Sequence, residues 1–293
     1  MNLDRLAKRF RIAKPDKFRL SEHDPAESGG SDFEKKEAER MLAEAIERLR
    51  ELQERLYADG RRSVLIVLQG MDAAGKDGII EHVMTGINPQ GVEVHSFKQP
   101  SEEELQHDFL WRIVRRLPAD GRIGIFNRSH YEEVLTVRVH ETLLVREKLP
   151  KKSTGDDIWR QRFEDIRAFE QHLARSGTLI LKFFLNISKE EQRERFLARI
   201  EEPAKRWKFS MGDVAVRKLW PKYMAAYEDA IRATSRPCAP WYVVPGDHKW
   251  FARLVVVAAL VHEMQALGLD YPKVEGRALK DLRDVARALK AGK

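Results

Sequence analysis

Cysteine is almost missing: Cys238 is the single one in 293 residues. That excludes an internal disulfide framework and a cysteine-based zinc site. It sits between prolines in "SRPCAPW" and reads as a structural thiol in a loop. Long hydrophobic runs are missing too. The most apolar stretch, "WFARLVVVAALVHEMQAL" at 250–267, is interrupted by Arg253, His262 and Glu263 and reads as a buried helix rather than a bilayer span. The opening "MNLDRLAKRFRIAKPDKF" holds no apolar stretch of signal-peptide length. The expectation is a cytoplasmic protein without a membrane partner. There is no internal repeat, low-complexity tract, aromatic-rich RNA motif, helix-turn-helix or zinc-finger spacing, so nucleic acid is not the expected partner either.

What is present is globular: 43% hydrophobic and 34% charged residues, with six tryptophans to help fill a core. The length suits one large α/β domain with extensions, or two modest domains. Against 46 acidic residues stand 53 basic ones, a formal net charge of +7. A mixed surface with a basic excess suits a polyanion: nucleic acid, anionic membrane or phosphorylated substrate.

Along the chain, residues 1–32 are basic and then turn-rich, and read as an extended arm. Residues 33–60 carry Leu42, Ile46, Leu49, Leu52 and Leu56 at three- and four-residue steps before Gly60, the pattern of a long amphipathic helix. "SVLIVLQ" is a short, continuously apolar run, as a strand buried on both faces requires. Further strands are expected at "VEVHSF", "RIGIF", "TLILKFFLNI" and "WYVVP", with helices between them. One of those helices, "SEEELQHDFLWRIVRRL", is opened by Ser101 with Glu104 completing a capping box; "SHYEEVLTVRV" and "VRKLWPKYMAAYEDAIRAT" also read as helical. The alternation predicts an α/β fold, a five-stranded parallel sheet flanked by helices. Residues 1–60 form an N-terminal arm and long helix, 61–270 the sheet domain, and 271–293 a charged helical tail.

The stretch "GMDAAGKDG", Gly70 to Gly78, follows an apolar strand and opens a helix, the context that gives G-x-x-x-x-G-K its meaning as a phosphate-binding loop. Gly70, Ala73, Ala74 and Gly75 let backbone N–H groups turn toward phosphate oxygens, the helix N-terminus adds positive potential, and Lys76 reaches the transferring phosphate. Two acids depart from the usual loop. Asp77 stands where a serine or threonine hydroxyl is usual, and Asp72 lies inside the loop. A carboxylate there makes sense when magnesium sits between it and phosphate oxygens, which points to a highly charged, polyphosphate-like substrate.

The second anchor, "GIFNRSHYEEV" at 124–134, lies at the C-terminal end of a strand, where sites of doubly wound sheets form. Asn127 ends the strand where an aspartate is usual, and Arg128 is placed as a bidentate phosphate donor. Lys98, Arg112 and Arg116 supply basic charge after the second strand. "RERFLARIEEPAKRWKFS" carries Arg193, Arg195, Arg199, Lys205, Arg206 and Lys208 around Pro203, a helical basic insertion with the composition of a closing lid, expected at about 199–222. On the residues alone, an ATP-dependent nucleotide or small-molecule kinase and a non-catalytic polyanion-binding P-loop protein stay open beside a polyphosphate-using enzyme.

Together, "LQGMDAAGKDG", "VMTGINPQGVEVHSFKQPS", "HDFLWRIVRRLP", "GIFNRSHYEEVL" and "RIEEPAKRWKFS" resemble the polyphosphate kinase 2 family, over about residues 15–270. The resemblance implies a P-loop kinase fold like that of thymidylate kinase, with a helical lid. It implies magnesium-dependent, reversible transfer of the terminal phosphate of inorganic polyphosphate to ADP, giving ATP, with manganese as an alternative ion. The version of the motifs found here resembles the subgroup that also phosphorylates AMP. By the same resemblance Asp72 and Lys76 match metal- and phosphate-binding positions, Arg128 the arginine of the second motif, and Arg199, Lys205 and Arg206 the lid. Many members read "FDRSWYNR" where this chain reads "FNRSHYEE"; Glu132 or Glu133 is the candidate to replace the missing metal-binding aspartate. A homodimer or homotetramer is implied as well.

Overall fold

The computed structural model describes residues 2–30, 33–147, 149 and 157–292. The first half of the chain runs α1 (Leu3–Phe10), α2 (Lys35–Asp59), β1 (Ser63–Gln69), α3 (Lys76–Val83), β2 (Val92–Ser96), α4 (Trp111–Val114), β3 (Ile123–Asn127) and α5 (Thr136–Val139). The second half runs α6 (Ile158–Arg175), β4 (Thr178–Asn186), α7 (Lys189–Glu201), α8 (Met211–Lys218), α9 (Trp220–Thr234), β5 (Trp241–Pro245), α10 (Lys249–Gln265) and α11 (Gly276–Lys290).

The strands form a five-stranded parallel sheet in the order β2-β3-β1-β4-β5. β1 is buried along its whole length, as its unbroken apolar sequence requires of a central strand. Alternate side chains of β1 enter different cores. Val64, Ile66 and Leu68 pack with α1, α2, α3 and α10; Leu65 and Val67 pack with α6 and α9. α10 is the apolar helix of 250–267, buried against α2 and α1. Among the described residues no helix is long and apolar enough to cross a membrane.

The chain leaves β1 toward β2 on one side, while β4 lies on the other, so the loops after β1, β3, β4 and β5 gather at the carboxyl edge around a topological switch point. In register, Leu68 stands beside Asn127, and Asn127 beside Ser96. Gly70, Arg128 and Lys98 therefore start from one edge.

Four local expectations are corrected. The N-terminal arm is not extended throughout: Asn2 accepts from Arg5 N–H at 2.8 Å and caps α1, whose Leu6, Ala7 and Phe10 are buried. The capping box forms, with Ser101 N–H donating to Glu104 at 2.8 Å, yet it governs one tight turn only. Asp108 accepts from Leu110 N–H at 2.9 Å and starts a separate turn, so the helix expected over 101–117 reduces to α4. The helix expected over 129–139 is a tight turn, His130–Glu133, followed by α5. α8 and α9 are separate helices because Pro221, which lacks an N–H, opens the second.

Candidate active site

The loop after β1 is shaped by its glycines. A Cβ on Gly70 would meet the Leu185 carbonyl and the Ala74 Cβ at 3.0 Å, and Gly75 has φ +103°, which side chains rarely adopt. Ala73 also takes a positive φ, +66°. Such backbone turns N–H groups inward, and those opening α3 have no acceptor within the helix. Lys76 is buried and folds back onto the loop, donating to the Gly70 and Met71 carbonyls at 2.8 and 3.1 Å. Burial foremost, with Arg128 nearby, lowers its ammonium to about 8, and Asp72, Glu132 and Asp77 oppose that shift. An incoming phosphate offers this lysine a stronger acceptor than either carbonyl.

Both acids of the loop have partners. Asp72 accepts from Arg128, and Asp77 accepts from the Asn127 amide at 2.6 Å. The two departures from the usual loop and strand end are thus one hydrogen-bonded pair. Arg128 stands at φ +64°, with its N–H donating to the Leu68 carbonyl at 3.0 Å. Its guanidinium also donates to Glu132 at 3.3 Å. Glu132 foremost, then Asp72, hold it firmly charged against the cost of burial. Glu132 accepts in addition from Thr136 at 2.7 Å. Glu133 points elsewhere: it is buried against Arg162 at 2.9 Å. It does not reach the loop, because successive residues of a tight turn face different sides.

A cleft of about 990 Å³ opens over the loop. It brings together Lys98, Asn127 and Arg128 from the sheet edge with Arg199 and Lys205 from beyond β4. Three more cations line it: Arg195, which falls within the basic stretch of 193–210, and Lys249 and Arg253, which lie outside the motifs. Arg195 is buried and donates to the Ala73 and Ala74 carbonyls at 3.0 Å each and to the Gly246 carbonyl at 2.6 Å, tying the loop to the end of β5. Lys249 and Arg253, one turn apart on α10, form the far wall. Burial foremost, then the neighbouring Arg195, Lys205 and Arg253, lower the Lys249 ammonium, the signature of cations gathered around a place for an anion. The helical phase of α7 carried the signal for Arg195, which shares a face with Gln192 and Arg199. Lys249 and Arg253 open the apolar helix, where nothing but the fold links them to the loop.

Several expected residues stay out of the cleft lining. Arg112 lies over the Phe97 ring at 5.2 Å and pairs with Glu104 at 3.3 Å. Arg116 is exposed on the turn after α4, and Arg193 is exposed beside Glu194. Arg206 donates to the Ile200 carbonyl at 2.8 Å, back onto the last turn of α7. The side chain of Lys208 lies outside the described residues.

Behind Arg128 lies a second cavity, of about 290 Å³, lined by Glu132, Thr136, Leu143, Val216, Tyr223 and Tyr227 among others. Asp72 and Arg128 line both cavities and form the wall between them. One side is a cleft rich in cations; the other sets Leu143, Val216, Tyr223 and Tyr227 beside the polar Glu132, Thr136 and His140. Among the described residues no group of three or more His, Cys, Asp or Glu side chains is placed to hold a metal. The loop itself offers the carboxylates of Asp72 and Asp77, oxygen donors of the kind a hard cation takes one or two of.

A parallel sheet with a phosphate loop at its switch point, cations on every side and two cavities meeting at Asp72 and Arg128 define a P-loop kinase. Comparison with known proteins narrows the class. The family model described as polyphosphate kinase 2 matches residues 32–270. An ADP-polyphosphate phosphotransferase of Rhodopseudomonas palustris is 48% identical over 283 residues, covering 96% of this chain and 98% of its own. An AMP/ADP-polyphosphate phosphotransferase of Meiothermus ruber is 46% identical, covering 92% of this chain and 96% of its own. The crystal structure of polyphosphate kinase 2 from Arthrobacter aurescens superposes with a TM-score of 0.87 at 40% identity, covering 96% of each chain. The chain belongs to the polyphosphate kinase 2 family.

Proposed function

We propose that this protein transfers the terminal phosphate of inorganic polyphosphate to ADP and to AMP, reversibly and with magnesium. The observation that carries the reading is the shared wall: Asp72 and Arg128 face both cavities. Polyphosphate has no base or sugar, and it suits the cleft walled by Lys98, Lys249 and Arg253. A nucleotide suits the smaller cavity, where Tyr223 and Tyr227 offer rings and Leu143 and Val216 apolar surface. A phosphoryl group then moves in line from one to the other past Arg128.

Transfer between phosphates needs little covalent chemistry from the protein; positioning and charge stabilisation are enough. Lys76 and the N–H groups opening α3 hold the terminal phosphate of the donor. Arg128 follows the moving group, and Arg199 and Lys205, on a lid of about residues 199–222, cover it and exclude water. Asp72, with Asp77 beside it, would hold magnesium, and manganese shares the same ligand preference. Bound there, such an ion would supply neutralising charge to the phosphate groups that the loop holds. A nucleotide acceptor argues for a cytoplasmic enzyme. Self-association as a dimer or tetramer belongs to the same reading. Its support is the exposed Leu282, Val285 and Leu289 on α11, since α2 and α10 pack into the core. Light scattering from the purified protein tests it.

The deciding assay gives purified protein magnesium, polyphosphate and either AMP or ADP, and resolves the nucleotides by chromatography. ATP from ADP, and ADP followed by ATP from AMP, is the expected result, with the Lys76→Ala variant as the control. Turnover of ADP alone removes the AMP activity. No conversion with either acceptor overturns the reading.

A further inference from the structure

Beneath Arg128 lies a buried polar cluster that the reaction does not use. Lys182, in the middle of β4, is 0% exposed, Tyr131 0% and Glu170, on α6, 2%. The Lys182 ammonium donates to Glu170 at 2.6 Å, to the Tyr131 hydroxyl at 2.9 Å and to the Thr234 carbonyl at 2.9 Å. The Tyr131 hydroxyl donates in turn to the other Glu170 oxygen at 2.8 Å, and burial keeps it protonated. His130 lies 3.3 Å from that same oxygen, and the Trp241 ring meets Tyr131 edge-on at 4.8 Å.

Stability is a poor reason to bury such a group. Taking both charges out of water offsets most of their attraction, and a well-packed apolar replacement of a buried ion pair is often neutral or stabilising. Its place in the fold supplies another reason. Tyr131 is three residues after Arg128, whose φ of +64° is unfavourable for a residue with a Cβ. A strained turn persists only where both its ends are held. One end is held by the Arg128 N–H on the Leu68 carbonyl at 3.0 Å. At the other end the Tyr131 N–H donates to Ser129 at 3.2 Å, and the Tyr131 ring is locked at its tip by Lys182 and Glu170.

We propose that Lys182, Glu170 and Tyr131 are positioning residues that hold the strained turn of Arg128, and so set the guanidinium between the two cavities. This rests on the role assigned to Arg128 above. Tyr131→Phe deletes one oxygen and keeps the ring. It should lower kcat with polyphosphate and ADP on the order of 10-fold, as displacing a group by a fraction of an ångström does, with little change in KM for ADP.

The test measures kcat, KM and thermal unfolding for Tyr131→Phe, for the apolar pair Lys182→Met with Glu170→Leu, and for each in an Arg128→Lys background. We expect the apolar pair to unfold at or above the native temperature while kcat stays low. In the Arg128→Lys background neither replacement should slow the enzyme further, because contributions made through one group do not add. Native kcat in the apolar pair or in Tyr131→Phe overturns the proposal, as do effects that multiply fully in the Arg128→Lys background. If the apolar pair does not fold, Tyr131→Phe alone and in the Arg128→Lys background decides. Full turnover by Arg128→Lys itself removes the role of Arg128, and the clamp's purpose with it. A slow Arg128→Lys beside unaffected clamp variants removes the clamp alone.

Discussion

Arg195 and Arg199 stand one turn apart on α7 and both line the cleft, yet they belong to different kinds of surface. Arg195 is buried, and its donors go to Glu191 and to the carbonyls of residues 73, 74, 246 and 247. Arg199 is half-buried, lies over the Phe196 ring at 5.8 Å and forms no ion pair among the described residues. The same side chain is scaffold at one position and is left with its donors toward the cleft at the next. The contrast extends to the whole site. On the loop side Lys76, Arg128 and Arg195 have partners before any substrate arrives. On the far side Arg199, Lys249 and Arg253 converge on the cleft.

If that division holds, substitutions on the two sides fail in different ways. The largest effect is expected at Lys76, where Lys76→Ala should lower kcat at least ~100-fold, as loss of one transition-state contact does; near-normal turnover would end the loop assignment. Asp72→Asn should slow transfer and move the magnesium titration of the rate to higher concentration, by roughly 10-fold for one ligand or its support. An unmoved titration removes Asp72 as the ligand. Arg195→Met is expected to act on the fold, lowering unfolding free energy by about 2 kcal/mol or more in a denaturant titration, since buried carbonyls lose a charged donor. Arg199→Ala should leave that titration in place and reduce kcat; the opposite assignment of the two losses would reverse the comparison. Smallest of all, Arg206→Ala, at an exposed position outside the cleft, should change the unfolding free energy by no more than about 0.5 kcal/mol in the same denaturant titration, as surface positions do.

The sequence makes the sheet and the loop legible because both depend on neighbours in the chain. "SVLIVLQ" followed by two correctly spaced glycines and a lysine identifies its own strand and turn, and Arg128 follows from the end of the next apolar run. What escapes are side chains whose meaning depends on direction or on distant partners. Arg193 and Arg195 differ by two residues, hence by more than half a helical turn, and only one faces the loop. Glu132 and Glu133 diverge in the same way. Arg112 is basic and close in sequence to the site, yet an aromatic face and Glu104 hold it elsewhere. Lys182 carried a signal that a strand reading passes over: a lysine inside an apolar run is almost never buried without a partner. That partner, Glu170, comes from a helix read simply as amphipathic.

The bond between Asn127 and Asp77 has a consequence for how the protein waits. Two carboxylates at 2.6 Å would repel unless a cation or a shared proton stood between them. A loop built that way would be only as well formed as its metal supply. Here one carboxylate is exchanged for an amide, and the neutral donor keeps the first turn of α3 fastened to the end of β3 in the absence of any ion. The contact that joins the loop to the sheet edge is thereby a bond between a carboxylate and a neutral donor, which needs no cation between its two partners.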